Sequence, residues 1–287
     1  MKMFRKIRHL NGLREIYFCG IKVFSYHKRI FLKDCSYYIL KFIGVQKCKN
    51  LKNLVLGSSH GRDGFIPGEF DFNLSNSSLD LYRIWNLYKY VVEHNGKNIE
   101  NIIIFWSVFH AGLQLEKTKE FKKCIPYKAL FGIEYACDFQ LNDRYAIDKI
   151  KEQQKHIVCP DDFRGKSGYD IDHNEVAELL VLKHLKNTKR NNNQIQYLDN
   201  IVKLARKQKH NVYIVLPPYR SDYLKYLPDD KIVYRELFDF LDKNQDVMLL
   251  NFQHDKDFKD SDFDSSDHCN ETGGAKLTEK IRSAIHK

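Results

Sequence analysis

Apolar positions in this chain switch between two rhythms. Leu51–Leu56, Asn101–Trp106, Asn211–Leu216 and Val247–Phe252 are short, almost unbroken apolar runs. Runs of that length, closed by glycine, proline or polar turn residues, predict strands buried on both faces. Between them the spacing changes to threes and fours. In Leu79–Glu93 the residues Leu81, Ile84, Trp85, Leu87, Tyr88, Val91 and Val92 form a helical stripe that stops at Asn95-Gly96. Asn174–Lys186, Gln194–Lys209, Lys231–Lys243 and Glu271–His286 read as further helices. Strands and helices in alternation predict a three-layer α/β/α domain with a mainly parallel sheet over residues 51–287. Residues 110–172, with Pro126, Pro160 and several glycines, keep no clear rhythm and are expected to form an insertion or lid.

Residues 1–50 are a basic, aromatic-rich segment of another kind. Ile16, Tyr17, Phe18, Ile21, Val23, Phe24 and Tyr26, then Tyr37 to Ile43, are interleaved with basic side chains. The whole formal charge of +10 lies here: twelve Lys/Arg stand against Glu15 and Asp34, while residues 51–287 hold 35 basic and 35 acidic side chains. A neutral body gives no support for a groove that tracks nucleic-acid phosphates. Two readings of the segment stay open. It is a surface resting on anionic lipid, where basic residues add their attractions, or a strand pair and a helix packed on the body with solvated lysines outside.

The remaining composition narrows the class. With 287 residues, 43% hydrophobic and 29% charged, the chain can bury a sizeable core. No run approaches the roughly 18 apolar residues of a membrane span. Lys22 and His27-Lys28-Arg29 interrupt any signal-peptide core. Seven cysteines (19, 35, 48, 124, 137, 159 and 269) without a Cys-x-x-Cys pair suit free thiols in a reducing compartment. The expectation is a cytoplasmic protein, peripheral to the inner membrane if residues 1–50 meet lipid.

Ligands of parallel sheets gather beyond the carboxyl ends of the strands. Loops 57–64, 107–112, 217–222 and 253–270 are therefore the places for chemistry. The first reads Leu56-Gly57-Ser58-Ser59-His60-Gly61. A serine on a tight strand-to-helix turn can present its Oγ to a cleft while backbone N–H groups face the same point. The same residues also suit plain turn chemistry. The last loop, Phe263 to Ala275, sets His268 among carboxylates just ahead of the closing helix. A serine nucleophile needs a base in reach, and the base needs an acceptor to fix its tautomer. A serine after the first strand and a histidine after the last would meet at one sheet edge.

These residues resemble the SGNH (GDSL-type) hydrolase superfamily, in which a serine follows the first strand and an Asp-x-x-His motif lies near the C-terminus. The likeness is to a bacterial branch that includes surface-polysaccharide and cell-wall acyl-modifying proteins. Its features are matched by Gly57-Ser58-Ser59-His60, Gly64-Phe65-Ile66-Pro67, Phe72 to Ser78, Val215 to Tyr219, Asp267-His268-Cys269-Asn270 and Gly274-Ala275, in order along residues 51–287. Arg14 to Tyr26 also resembles the leader of bacterial enzymes that build surface polysaccharides. The resemblance implies a flavodoxin-like α/β fold, Ser59 as nucleophile and His268 as general base. The Ser59 N–H, helped by the Asn76-Ser77 turn, would hold the oxyanion. It implies acyl transfer or ester hydrolysis on a bacterial surface glycan or its precursor. No tightly bound cofactor is implied, and a transferase would draw on an acyl donor such as acetyl-CoA. Two departures stand out. Ser265 occupies the usual acid position, so Asp264 or Asp267 would orient the imidazole, or the dyad works alone. The family's mid-chain glycine and asparagine donors have no clear match, although Asn76, Ser107 and His110 sit in suitable loops.

Other features carry less. Ser58 and His60 flank the nucleophile and could contact substrate, His60 reading more simply as a solvated turn histidine. Asp260, Asp262, Asp264 and Asp267 lack the glycine and terminal glutamate of a calcium loop and read as an acidic surround for His268. No metal site is expected. Asp161-Asp162 and Asp170-x-Asp172-His173 read as surface, Trp85 and Trp106 as core. Neither phosphate-cradling glycine motif is present, so nucleotide binding has no support. Two alternatives remain. One is an inactive, glycan-binding or assembly protein of the same fold, for which Ser265 is the argument. The other is a glycosyltransferase, for which only Asp161-Asp162 and Asp229-Asp230 offer paired aspartates.

Overall fold

A computed structural model describes residues 3–8, 13–30, 32, 34–136, 139, 141–166, 175–188 and 194–285. Cys137, Asp170, Asp172, His173, Asn174 and His286 lie outside the described residues. The chain divides into two compact units, Met1–Phe42 with Gln114–Val158, and Ile43–Leu113 with Cys159–Lys287. In chain order the elements are β1 (Phe4–Arg8), β2 (Leu13–Phe18), β3 (Ile21–His27), α1 (Ser36–Lys47), β4 (Asn53–Gly57), α2 (Ser59–Gly64), β5 (Asp71–Asn73), α3 (Leu81–Asn95) and β6 (Asn101–Phe105). There follow α4 (Cys124–Phe131), α5 (Arg144–His156), α6 (Ala177–Thr188), α7 (Ile195–Gln208), β7 (Asn211–Leu216), α8 (Ser221–Tyr226), α9 (Asp230–Val233), α10 (Arg235–Asp242), β8 (Val247–Asn251) and α11 (Glu271–Ile285).

In the first unit β1, β2 and β3 form an antiparallel sheet in that order. The β2–β3 hairpin turns through Cys19 and Gly20, both at positive φ (49° and 86°). A two-residue loop of this kind matches the natural twist of the strands. Tyr38 and Phe42 of α1 meet Tyr127 and Phe131 of α4 edge-on, at 5.5 and 5.1 Å between ring centroids.

The second unit is a three-layer α/β/α domain. Its five strands are all parallel in the order β5-β4-β6-β7-β8. Alternate side chains leave opposite faces of a strand, and here both faces are covered. Val55, Ile103, Phe105, Tyr213 and Val215 pack with Phe65, Leu277 and Ile281 on the side of α2 and α11. Leu54, Leu56, Ile102, Ile104 and Ile214, equally buried, face the other way, where α3 and α7 pack. That explains why the central strands read as unbroken apolar runs rather than alternating ones.

A row of side-chain amides fixes the register at the strand starts. Asn53 donates to Asp71 Oδ1 (2.8 Å), Asn101 to Asn53 Oδ1 (2.7 Å) and Asn211 to Asn101 Oδ1 (2.9 Å), each pair being directly opposite in the sheet. β4 and β6 end level at the edge where the candidate residues lie, Gly57 opposite Phe105, while β5 stops two residues short.

Three features differ from the pattern read in the sequence. β5 has three residues, too few to show a period. The stretch Lys231–Lys243 is two helices, because Tyr234 leaves the helical region (φ −109°, ψ 20°) and buries its ring. Residues 110–172 contain α4 and α5, and only Ala146 and Ile150 of α5 are buried, which leaves no apolar stripe to read. Among the described residues, no helix is long and apolar enough to cross a membrane, and the six described cysteines are free thiols.

Candidate active site

Gly57 closes β4 at φ 150°, where a Cβ would lie 2.8 Å from the Phe105 carbonyl oxygen. Only glycine lets the strand end run this close to β6. The two serines after it turn opposite ways. Ser59 opens α2, half-buried, with its Oγ 2.8 Å from His268 Nε2. Ser58 is fully buried, with its Oγ 2.5 Å from Ser107 Oγ beyond β6.

The loop that carries His268 is pinned at three points. Phe263 and Cys269 pair as a β-bridge. Ser266 accepts from Arg220 and donates to Asp222, in the segment after β7. Asn270 caps α11 by accepting the Gly273 N–H (3.0 Å). Within this frame Asp267 Oδ1 lies 2.8 Å from His268 Nδ1. Ser265 Oγ, 3.0 Å from the same nitrogen, donates to Asp267 Oδ1 at 3.0 Å. The position three before His268 thus supplies a bridging hydroxyl, and the neighbouring Asp267 supplies the carboxylate. Asp264 is exposed and is not brought to the ring; its backbone N–H donates to the His268 carbonyl. An N–H at Nδ1, held by the carboxylate, leaves the lone pair at Nε2 facing the Ser59 hydroxyl.

Asp267 has a second imidazole. His60 Nε2 lies 3.0 Å from Asp267 Oδ2, and His60 Nδ1 lies 2.7 Å from Ser107 Oγ. The His60 and His268 rings stack at 5.0 Å. His60 is therefore not a solvated turn residue: it is 3% exposed, held between the carboxylate and the Ser58–Ser107 pair. Hydrogen bonds run from Ser58 through Ser107, His60, Asp267 and His268 to Ser59.

Burial and charge divide the two imidazoles. Burial alone would raise Asp267, but the charge of His268 and the hydrogen bonds from both histidines hold its carboxyl well below the usual range. Burial pulls His268 down, and Asp267 more than offsets it, so His268 sits above its ordinary value. For His60 burial wins over the same carboxylate, and its value is lowered. The imidazole that faces Ser59 is the one that takes the proton.

The surrounding loops are built on side chains of less obvious pattern. Asn73 donates to the Gly61 and Phe65 carbonyls (2.8 and 3.1 Å) and accepts the Ser75 N–H (3.0 Å), which ties the loop after β5 to α2. Asn76 donates its N–H to the Gly57 carbonyl and accepts the Ser77 N–H, so the Asn76-Ser77 turn sits beside the serines. Ser77 Oγ accepts from Arg62, which also clasps Asp63. His110 accepts the Ser107 N–H at Nδ1 and donates to the Leu79 carbonyl; burial pushes it down to about 3. His184, 2.8 Å from the Tyr223 hydroxyl, is likewise pushed down to about 3. Asn73 lies in the Phe72 to Ser78 segment and Ser265 at the usual acid position, but neither of these roles was legible in the sequence, and His184 stands in no readable motif.

His60, Asp267 and His268 bring donor atoms within 4.8 Å of one another. A cation there would need lone pairs on the nitrogens that now present N–H to Asp267, so the cluster is complete as a hydrogen-bonded network. Of the paired aspartates, Asp161 and Asp162 are exposed, Asp229 caps α9, and Asp230 meets Gln253 and His254. Trp106 is core, and Trp85 is half-buried.

No protein-family model matches the chain, and no curated protein sequence matches it. Among solved structures, one from Bacteroides fragilis NCTC 9343 described as a "putative acylhydrolase" covers 89% of this chain and 98% of its own, with 10% identity and a TM-score of 0.40. A likeness that distant leaves the chemistry to be read from the site itself.

Proposed function

We propose that the chain performs serine-dependent acyl chemistry, ester hydrolysis or acyl transfer, of the SGNH type. One observation carries this reading. Ser59 Oγ lies 2.8 Å from His268 Nε2, while His268 Nδ1 lies 2.8 Å from a buried carboxylate. Ser59 attacks the acyl carbonyl as its proton passes to His268 Nε2, and Asp267 stabilises the imidazolium. The oxyanion forms beside the Ser59 N–H. The Asn76 and Ser77 N–H groups are already donated to the Gly57 carbonyl and to Asn76 Oδ1, so that turn shapes the loop rather than supplying backbone donors. Collapse breaks the ester bond, and the leaving alcohol takes the proton back from His268. Water, or an acceptor hydroxyl, then loses a proton to His268 and cleaves the acyl-Ser59 ester. Ser58 and Ser107 serve by holding His60, and His60 by holding Asp267, rather than by touching substrate, because all three are buried. A bacterial surface glycan as acyl carrier or acceptor, and an acyl donor such as acetyl-CoA for transfer, rest on the sequence resemblance.

Hydrolysis of p-nitrophenyl acetate and labelling by a fluorophosphonate test the proposal. Ser59→Ala and His268→Ala should each lower kcat/KM by about a thousandfold or more, and the label should map to Ser59. Undiminished turnover by Ser59→Ala, or a label on another residue, would remove the proposal.

A further inference from the structure

The antiparallel sheet has one face that is both apolar and cationic. Register places Phe4 and Ile21 opposite Phe18, and Phe24 opposite Ile16. Phe18 and Ile16 are two apart and share a face, yet their partners Ile21 and Phe24 are three apart. The irregularity at Ile16/Tyr17 takes up the extra residue. Without it, period two would send one of the pair to the other side. Phe4 and Phe18 touch at 5.1 Å, yet Phe4 is 62% exposed, Ile21 71% and Phe24 56%.

Charge is sorted across the same sheet. Lys6 lies opposite Ile16, and Arg8 opposite Arg14, which places three of the five Lys/Arg of these strands on the apolar face with no acid among them, while Arg5 and Lys22 fall on the reverse. The single acid of the three strands, Glu15, is on the reverse, held by Lys22 and Tyr17. Exposed aromatic and aliphatic side chains among cations match an interface of apolar depth beneath anionic headgroups. A second copy would set cation against cation.

We propose that this face docks on an anionic phospholipid bilayer, with Phe4, Ile21 and Phe24 entering the headgroup boundary and Lys6, Arg8 and Arg14 meeting lipid phosphates. The inference rests on register and exposure, independently of the acyl chemistry.

Cosedimentation of the full chain with vesicles tests it. Binding should appear with phosphatidylglycerol and phosphatidylcholine in equal parts, be absent with phosphatidylcholine alone, and weaken as salt is raised. Lys6→Glu and Arg14→Glu should each lower partition about fivefold or more, and the pair Ile21→Ser with Phe24→Ser should lower it at unchanged Tm. Salt titration of the wild type needs no variant. Equal binding to both vesicles, no binding to either, or wild-type binding by the doubly substituted chain each overturns the proposal. So does a dimer that Phe24→Ser dissolves in a chain that ignores vesicles.

Discussion

The Asp267 carboxylate is bonded on one oxygen by His268 and on the other by His60. In the proposed mechanism the neutral form of His268 is the base, and Asp267 keeps the ring protonated to higher pH than usual. Activity should therefore rise with pH through an apparent pKa above 6.5 and be lost as pH falls through it. His60→Ala removes one donor from a buried carboxylate, which makes it a stronger base and moves that limb upward. Losing a hydrogen bond to a buried charge should also lower kcat by about tenfold to a hundredfold. His60→Gln keeps an N–H in similar reach and should restore both. A pH profile of His60→Ala that overlays the wild type would leave His60 a space-filling role only.

At the scale of elements, β4, β6 and β7 draw stability from burial on two faces. Ile103, fully buried in β6, should cost about 2–5 kcal/mol as alanine. Met248 of the edge strand β8, 39% exposed, should cost well under that. Urea midpoints of the two variants decide it, and equal losses would count against burial on both faces as the source. The same burial made these strands legible in the sequence, as it did the amphipathic α3 and α7. β5 was not legible, because three residues take their conformation from pairing with β4. Nor was the break at Tyr234, which is set by where one ring is buried. The meeting of Ser59 with His268 could be foreseen from a parallel sheet, which brings first and last exits to one edge. The choice of Asp267 over Asp264 could not, since both lie within four residues of His268 and only side-chain direction separates them. The path through Ser58, Ser107 and His60 joins residues distant in sequence, and its signal is packing rather than spacing.

Taken whole, the α/β unit keeps His110 and His184 buried and neutral, both pushed down to about 3. In the unfolded chain they take up protons near pH 6.5. Between that value and about 3 the unfolded state binds more protons, so stability is lost as pH falls through this window, by about 1.4 kcal/mol per pH unit for each histidine. His268 acts with the opposite sign. Its raised value stabilises below 6.5, and that contribution fades as pH rises through the folded value. Urea midpoints between pH 7 and pH 4 should fall steeply for the wild type and less steeply for His184→Gln, the slope that remains coming from His110 and from His60 and His210, which burial also lowers. An unchanged slope in that variant would mean that His184 is protonated inside the fold.

The amide row Asp71–Asn53–Asn101–Asn211 lies at the edge away from these loops. It acts as a datum line, setting where β5, β4, β6 and β7 begin independently of the loop at the far end of each. Loops at the exits can then be lengthened, shortened or exchanged like cartridges while the strand ends they spring from stay put. The molecule separates the part that measures from the loops that hold the candidate site, and those loops are free to change what they meet.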